Sequence, residues 1–154
     1  MSEAADTTSL RPFDGKGRGV YADWTRDVIR YADLDPNRHV NNGAINQYFE
    51  DGRVHFRTIR LEGLGRSILT GFAIRRFTAE YHAALRFPGE VDVGTVVIRI
   101  GGTSYTLGQG VFSADKCIAT AEVVTVFFDP ATGRPRPLTE ELRAILQDAL
   151  YSPS

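Results

Sequence analysis

"YADLDPNRHVNNGAINQYFEDGR", Tyr31 to Arg53, begins as a polar loop and ends with the residue spacing of a helix. Asp33 to Asn42 alone carries two carboxylates, an imidazole, three side-chain amides and a guanidinium, with Leu34 and Val40 as the only aliphatic side chains. Three explanations compete: a capped turn, a cation site or a catalytic loop. The cation reading starts from Asp33, Asp35 and Asn37, which stand at the first three ligand positions of a calcium loop. It fails at Arg38, where the sharp turn needs Gly, and at Ala44, where a bidentate Glu belongs. His39, His55 and His82 lack the short spacing of zinc ligands, so no metal is expected. The turn reading holds, since Asp35 and Asn37 suit Asx turns and Asn41 or Asn42 suits the N-cap of a following helix. It does not exclude chemistry. A helix N-terminus presents unpaired N–H groups carrying roughly half a positive charge, a site prepared for a developing oxyanion.

Apolar positions at Ile45, Phe49, Phe56 and Ile59, with Gly52 in the same stripe, predict a helix over about 43–62. A glycine inside a helix costs about 1 kcal/mol relative to alanine, so Gly52 predicts a close approach of the helix axis to a neighbour. Gly63 and Gly65 supply the stop. Ahead of the loop, Trp24 to Ala32 reads as a strand. After the helix the period becomes two. Phe72 to Leu85, the alternating Val91 to Val97, a run holding Tyr105, Leu107 and Val111, and Cys117 to Phe128 read as a meander of four consecutive antiparallel strands. Gly101-Gly102 is expected to turn with positive φ, and Ser113 to Lys116 to form a second turn. Leu142, Ile145, Leu146, Ala149 and Leu150 form the stripe of a short helix capped by Thr139. Residues 1–20, small and polar, are expected to be a flexible leader to one domain over 21–154. The fold class is α+β: a five-stranded antiparallel sheet around a long helix, with a short C-terminal helix. Such a sheet leaves edges open, so pairing between copies is expected.

The formal net charge of -1, from 18 Lys plus Arg against 19 Asp plus Glu, gives no cation excess for nucleic acid or an anionic membrane. Lysine appears only at Lys16 and Lys116, and the arginine forks favoured instead suit carboxylate or phosphate groups. Cys117 is the one cysteine, which excludes an intrachain disulfide and fits a reducing compartment. No stretch reaches the roughly 20 apolar residues of a membrane span, and no signal peptide is visible, so a cytoplasmic protein is expected.

Tyr31 to Arg53 resembles the signature of hotdog-fold thioesterases of the 4-hydroxybenzoyl-coenzyme A type, a D-x-D-x-x-G-H-V-N-N-like loop entering a long central helix. The Asp35, Asn37, His39 spacing is also similar to a stretch of plant acyl-carrier-protein thioesterases. The order of the later elements agrees, and "RFPGEV" stands where the family often has a turn before its next strand. The resemblance implies a helix wrapped by a curved sheet, assembly as a homodimer or dimer of dimers, and hydrolysis of acyl-CoA or acyl-ACP thioesters without a cofactor. It implies Asp35 as nucleophile or general base, His39 and Asn37 in supporting roles, and the Asn42 and Gly43 N–H groups as oxyanion donors. Tyr48 and Arg38 join Asn42 and Gly43 as candidate substrate contacts. Arg38 departs from the family's Gly, which leaves the backbone either avoiding positive φ or tolerating it with strain. Two alternatives remain: an enoyl-thioester hydratase, whose D-x-N-P-x-H spacing is one residue out here, and a non-catalytic acyl-thioester binder.

Overall fold

Every strand in the computed structural model, which describes residues 7–8, 13–65 and 69–152, belongs to one antiparallel sheet. The strands are Thr7–Thr8 (β1), Asp23–Val28 (β2), Phe72–Tyr81 (β3), Glu90–Ile100 (β4), Ser104–Ser113 (β5) and Lys116–Phe127 (β6). The helices are Asn42–Leu61 (α1) and Glu140–Asp148 (α2). β1 pairs with Arg99 and Ile100, and β2 with Glu90 to Thr95, so both occupy the same flank of β4. The sheet is therefore the expected five-stranded one, in the order β2-β4-β5-β6-β3. Consecutive hairpins join β4, β5 and β6, but β3 closes the far edge beside β6 instead of pairing with β4, so the expected meander has three strands and not four.

α1 starts and stops where local chemistry dictates. Asn41 caps it, its side chain accepting from the Ala44 N–H at 2.7 Å, and Gly65 ends the following turn at φ 88°. The helix buries Ile45, Tyr48, Phe49, Gly52, Arg53, Phe56 and Leu61 against one sheet face. Ile59, expected in that stripe, is instead 54 % exposed and lines an open groove toward α2 with Ala144 and Ile145. α2 carries the predicted Thr139 cap, which accepts from the Leu142 N–H, and buries Leu142 and Leu146.

Gly52 explains how near the helix lies. A Cβ there would stand 2.7 Å from Val93 Cγ1 and 3.0 Å from Gln109 Nε2. Its absence lets the buried Gln109 amide donate to the Phe49 carbonyl at 3.0 Å and to Thr95 Oγ1 at 3.1 Å, while its oxygen accepts from Arg53 at 3.1 Å.

Of the residues read as a flexible leader, 1–6 and 9–12 lie outside the described ones, β1 pairs with β4, and Phe13 to Tyr21 crosses the opposite sheet face. Phe13, Tyr21 and Trp24 pack there with Phe112 and Tyr151. Strand glycines make the seat: a Cβ at Gly94 would collide with the Tyr21 ring, and one at Gly108 with the Phe13 ring.

The two hairpin turns correct the glycine expectation. Neither Gly101 nor Gly102 has positive φ; Ala114, in the other turn, does, at 53°. The loop between β5 and β6 has two residues, a length that calls for the left-handed region, and with no glycine there Ala114 takes it.

Gly52→Ala is expected to destabilise the fold by up to about 2 kcal/mol, because forced overpacking of about 1–3 kcal/mol outweighs the roughly 1 kcal/mol gained in helix propensity. Denaturant unfolding measures the difference.

Candidate active site

The polar loop is a tight hairpin. Leu34 and Val40 form a bridge, the Asp35 N–H donates to the His39 carbonyl at 2.8 Å, and the Arg38 N–H donates to the Asp35 carbonyl at 2.9 Å. Asp35 Oδ1 accepts two backbone donors, from Asn37 at 2.8 Å and His39 at 3.1 Å, so the carboxylate organises its own turn. No hydrogen bond among the described residues reaches Oδ2. Arg38 takes φ 64°, tolerating the left-handed conformation where a glycine would be unstrained, and its side chain is exposed.

The hairpin hands the chain directly to α1. The Asn41 N–H donates to the Asp33 carbonyl at 2.8 Å and the Val40 N–H to the Leu85 carbonyl at 2.8 Å, fixing both exit strands. The Ala44 and Ile45 N–H groups are engaged by Asn41, whereas the Asn42 and Gly43 N–H groups find no acceptor among the described hydrogen bonds. The structure thus brings Asp35, Asn37 and His39 together in one turn and puts the Asn42 and Gly43 donors at the helix start next to it. Asp35 and His39 are half-buried; Asn37, Asn42 and Gly43 are exposed.

Asp33, two residues before Asp35, is the deeply buried carboxylate, at 2 % exposure. It accepts from the Arg30 backbone at 2.9 Å, from the Arg30 guanidinium at 2.9 and 3.2 Å, and from the Tyr48 hydroxyl at 2.6 Å. Burial pushes its pKa up, but the hydrogen bonds from Tyr48 and Arg30 outweigh burial and hold it below its ordinary value. Tyr48, expected to touch substrate, has its hydroxyl engaged by this carboxylate.

Sequence reasoning missed the surroundings of that anchor. Asp27, Val28, Arg30, Asp33, Ala44, Gln47, Tyr48 and Asp51 line a cavity of about 460 Å3 between the end of β2 and α1. Burial, then the hydrogen bond and negative charge of Asp51, push the Asp27 carboxyl up to about 6. No local pattern marks this pair, since the two residues meet only once β2 lies along the helix. Because the folded-state pKa exceeds the unfolded one, the pair's stability contribution is full below about pH 4 and is lost as pH rises through about 6. Asp27→Asn should therefore raise the melting temperature at pH 8 and change it less at pH 5, as calorimetry at the two pH values would measure.

Among the described residues no cluster of His, Cys, Asp and Glu is arranged to hold a metal, and no helix is long and apolar enough to cross a membrane. The architecture and loop have close counterparts. A family model for the Thioesterase-like superfamily matches residues 29–146. The chain is 26% identical over 121 residues to the acyl-CoA thioester hydrolase YbgC of Escherichia coli O157:H7, covering 75% of this chain and 89% of that protein. It superposes on a predicted thioesterase from Bacillus stearothermophilus with TM-score 0.77 and 27% identity, covering 85% and 98% of the two chains. A thioesterase from Thermus thermophilus, complexed with coenzyme A and Zn, matches with TM-score 0.74 and 27% identity over 84% and 95%. With the family match spanning the hairpin, the central helix and the whole meander, the chain belongs to the Thioesterase-like superfamily and has its hotdog fold.

Proposed function

We propose that this protein is a thioesterase hydrolysing acyl-CoA or acyl-ACP thioesters, with Asp35 as the catalytic carboxylate and the Asn42 and Gly43 N–H groups as oxyanion donors. The observation that carries the reading is the division of labour at Asp35: Oδ1 is fixed by two backbone donors and Oδ2 makes no described hydrogen bond, beside a helix start with two free N–H groups. A carboxylate held in this way keeps one oxygen for chemistry while its orientation is set by the turn.

Thioester hydrolysis needs an oxygen nucleophile at the carbonyl carbon and donors for the charge that builds on the carbonyl oxygen. As general base, Asp35 takes a proton from water while the water oxygen bonds to the carbonyl carbon. The tetrahedral oxyanion then collapses, the C–S bond breaks, and the thiolate leaves and collects the proton. As nucleophile, Asp35 attacks the carbonyl carbon and the C–S bond breaks, leaving a mixed anhydride and a thiolate; water then opens the anhydride, regenerating the carboxylate and supplying the proton that the thiolate takes up. Both routes use the same two donors at the helix start, where the backbone dipoles favour negative charge. His39 and Asn37 support the site by shaping the turn and orienting water or the carbonyl, and the exposed Arg38 at its tip is the proposed contact for a phosphate of the carrier. Both outer strands, β2 and β3, present an unpaired edge, and pairing of such edges between copies gives a dimer or a dimer of dimers.

Asp35→Asn retains an Oδ1 acceptor for the two backbone donors, so the turn should persist while kcat falls by about 10²–10⁴-fold. Thiol release from an acyl-CoA, measured beside an unchanged melting temperature, tests this. Undiminished turnover removes Asp35 from its role. His39→Ala should cost less.

A further inference from the structure

Away from the Asp35 loop, the inner sheet face holds a polar cluster that the fold leaves unsatisfied. Tyr105 on β5 and Thr125 on β6 stand opposite each other in the ladder, each 1% exposed. Among the described residues neither Tyr105 Oη nor Thr125 Oγ1 makes a hydrogen bond of good geometry, and the neighbours that approach the Tyr105 hydroxyl are Thr125 and Arg57. Buried hydroxyls without partners are uncommon, because removing them from water costs free energy that only a partner restores.

Two guanidinia from α1 belong to the same cluster. Arg53 is 5% exposed and makes no ion pair among the described residues. Its one hydrogen bond goes to the neutral Gln109 oxygen at 3.1 Å, and its Cζ lies 5.4 Å from the Phe77 ring centroid. Burial pulls its pKa down, and Glu50 on the exposed side of the helix is the acidic group that most opposes this. Arg57, one turn further on, is half-buried and likewise lacks an ion pair among the described residues. Burial pushes the Tyr105 phenol up to about 12, and the Arg57 charge is the strongest influence in the other direction.

The cluster therefore gathers two cations and two hydroxyls, and its acceptors, the Gln109 amide oxygen and the hydroxyl oxygens, are all neutral. Buried charges are ordinarily paired, and forked guanidinia together with hydroxyl donors match the oxygens of phosphate or carboxylate. The edge strand β3 covers the cluster: Thr125 pairs with Ile74 of β3, which is 47% exposed, and Phe72 of the same strand packs 5.9 Å from the Tyr105 ring. We infer that Arg53, Arg57, Tyr105 and Thr125 form a recognition site for an anionic oxygen group of the thioester substrate, either a phosphate of the carrier or a carboxylate at the far end of the acyl group. The inference rests on the thioesterase reading. Arg53 lies eleven residues beyond the first residue of α1, roughly 16 Å along the axis. The anion is therefore held far from the reacting carbonyl and contributes to selection rather than to bond breaking.

Three thioesters of equal acyl length separate the sources: a neutral acyl-CoA, the same acyl group on pantetheine, which has no phosphate, and an ω-carboxyacyl pantetheine. The neutral pantetheine thioester is the reference. Arg57→Gln and Thr125→Val should each raise KM for one anion-bearing thioester by about tenfold or more relative to that reference. A rise confined to the CoA thioester identifies the carrier phosphate, and one confined to the ω-carboxyl substrate identifies the acyl carboxylate. Tyr105→Phe removes a hydroxyl that makes no hydrogen bond of good geometry, so it should largely keep the melting temperature while losing the same selectivity, which separates recognition from folding. Equal KM changes for all three thioesters overturn the site, as does altered oligomer mass with unchanged KM ratios. Calorimetric binding of 3′-phospho-ADP and of glutarate to the unmodified protein reads the site without turnover. If no thioester is hydrolysed but one anion binds, and Arg57→Gln weakens it, the thioesterase reading fails and the anion site stands. If hydrolysis proceeds and neither anion binds, the reading stands and the site is removed.

Discussion

The buried Asp33 carboxylate holds together the parts on which the candidate chemistry depends. Through Arg30 it grips the end of β2, through its own carbonyl it fixes Asn41, and through the Tyr48 hydroxyl it ties all of this to the second turn of α1. A buried carboxylate is tolerable only when its oxygens are saturated with donors. Here both oxygens are. Asp35 can then sit in a hairpin whose two ends cannot drift: one is tied to the helix cap, the other to the strand. The two carboxylates of the D-x-D pattern thus have distinct tasks, one structural and saturated, the other half-buried with an oxygen to spare.

The helix itself is placed by an omission. Lacking a side chain at Gly52, α1 approaches β4 and β5 closely enough for the Gln109 amide to bond a helix carbonyl, and this amide in turn receives Arg53. The position of a guanidinium near the sheet edge is thereby a consequence of a glycine on the helix. On the opposite face the logic repeats with aromatic rings: glycines in the strands admit Phe13 and Tyr21, so a segment of ordinary polar composition becomes a cover for the sheet. Loss of side chains in elements creates the space that polar or aromatic groups from elsewhere fill.

The long helix, a cap at Asn41 or Asn42, its glycine stop and the close approach at Gly52 were legible, because each leaves a mark in residues near one another in the chain, whereas the pairing of β3 with β6 rather than β4 was not. So was the turn built by Asp35 and Asn37. The packing of Phe13 and Tyr21 was not, although isolated glycines at positions 94, 108 and 110 within otherwise β-forming runs are the signal that a close approach leaves. Tyr48 carried a weaker one, since a tyrosine on a buried stripe needs a partner for its hydroxyl. Nothing local marked Asp27 with Asp51, or Tyr105 with Thr125. Those pairs come from register and from which strand lies along the helix, which are properties of the assembled sheet. The glycine pair at 101–102 misled, since the left-handed residue falls in the other, two-residue loop, at Ala114.

The most direct measurement is a crystal structure with an acyl-CoA analogue whose thioester sulfur is replaced by a methylene group, which preserves the carbonyl and prevents cleavage. The account predicts the carbonyl oxygen about 2.7–3.1 Å from the Asn42 or Gly43 nitrogen, with Asp35 Oδ2 facing the carbonyl carbon directly or through one water. A carbonyl bound elsewhere, with both Asp35 oxygens turned away from it, would contradict the account.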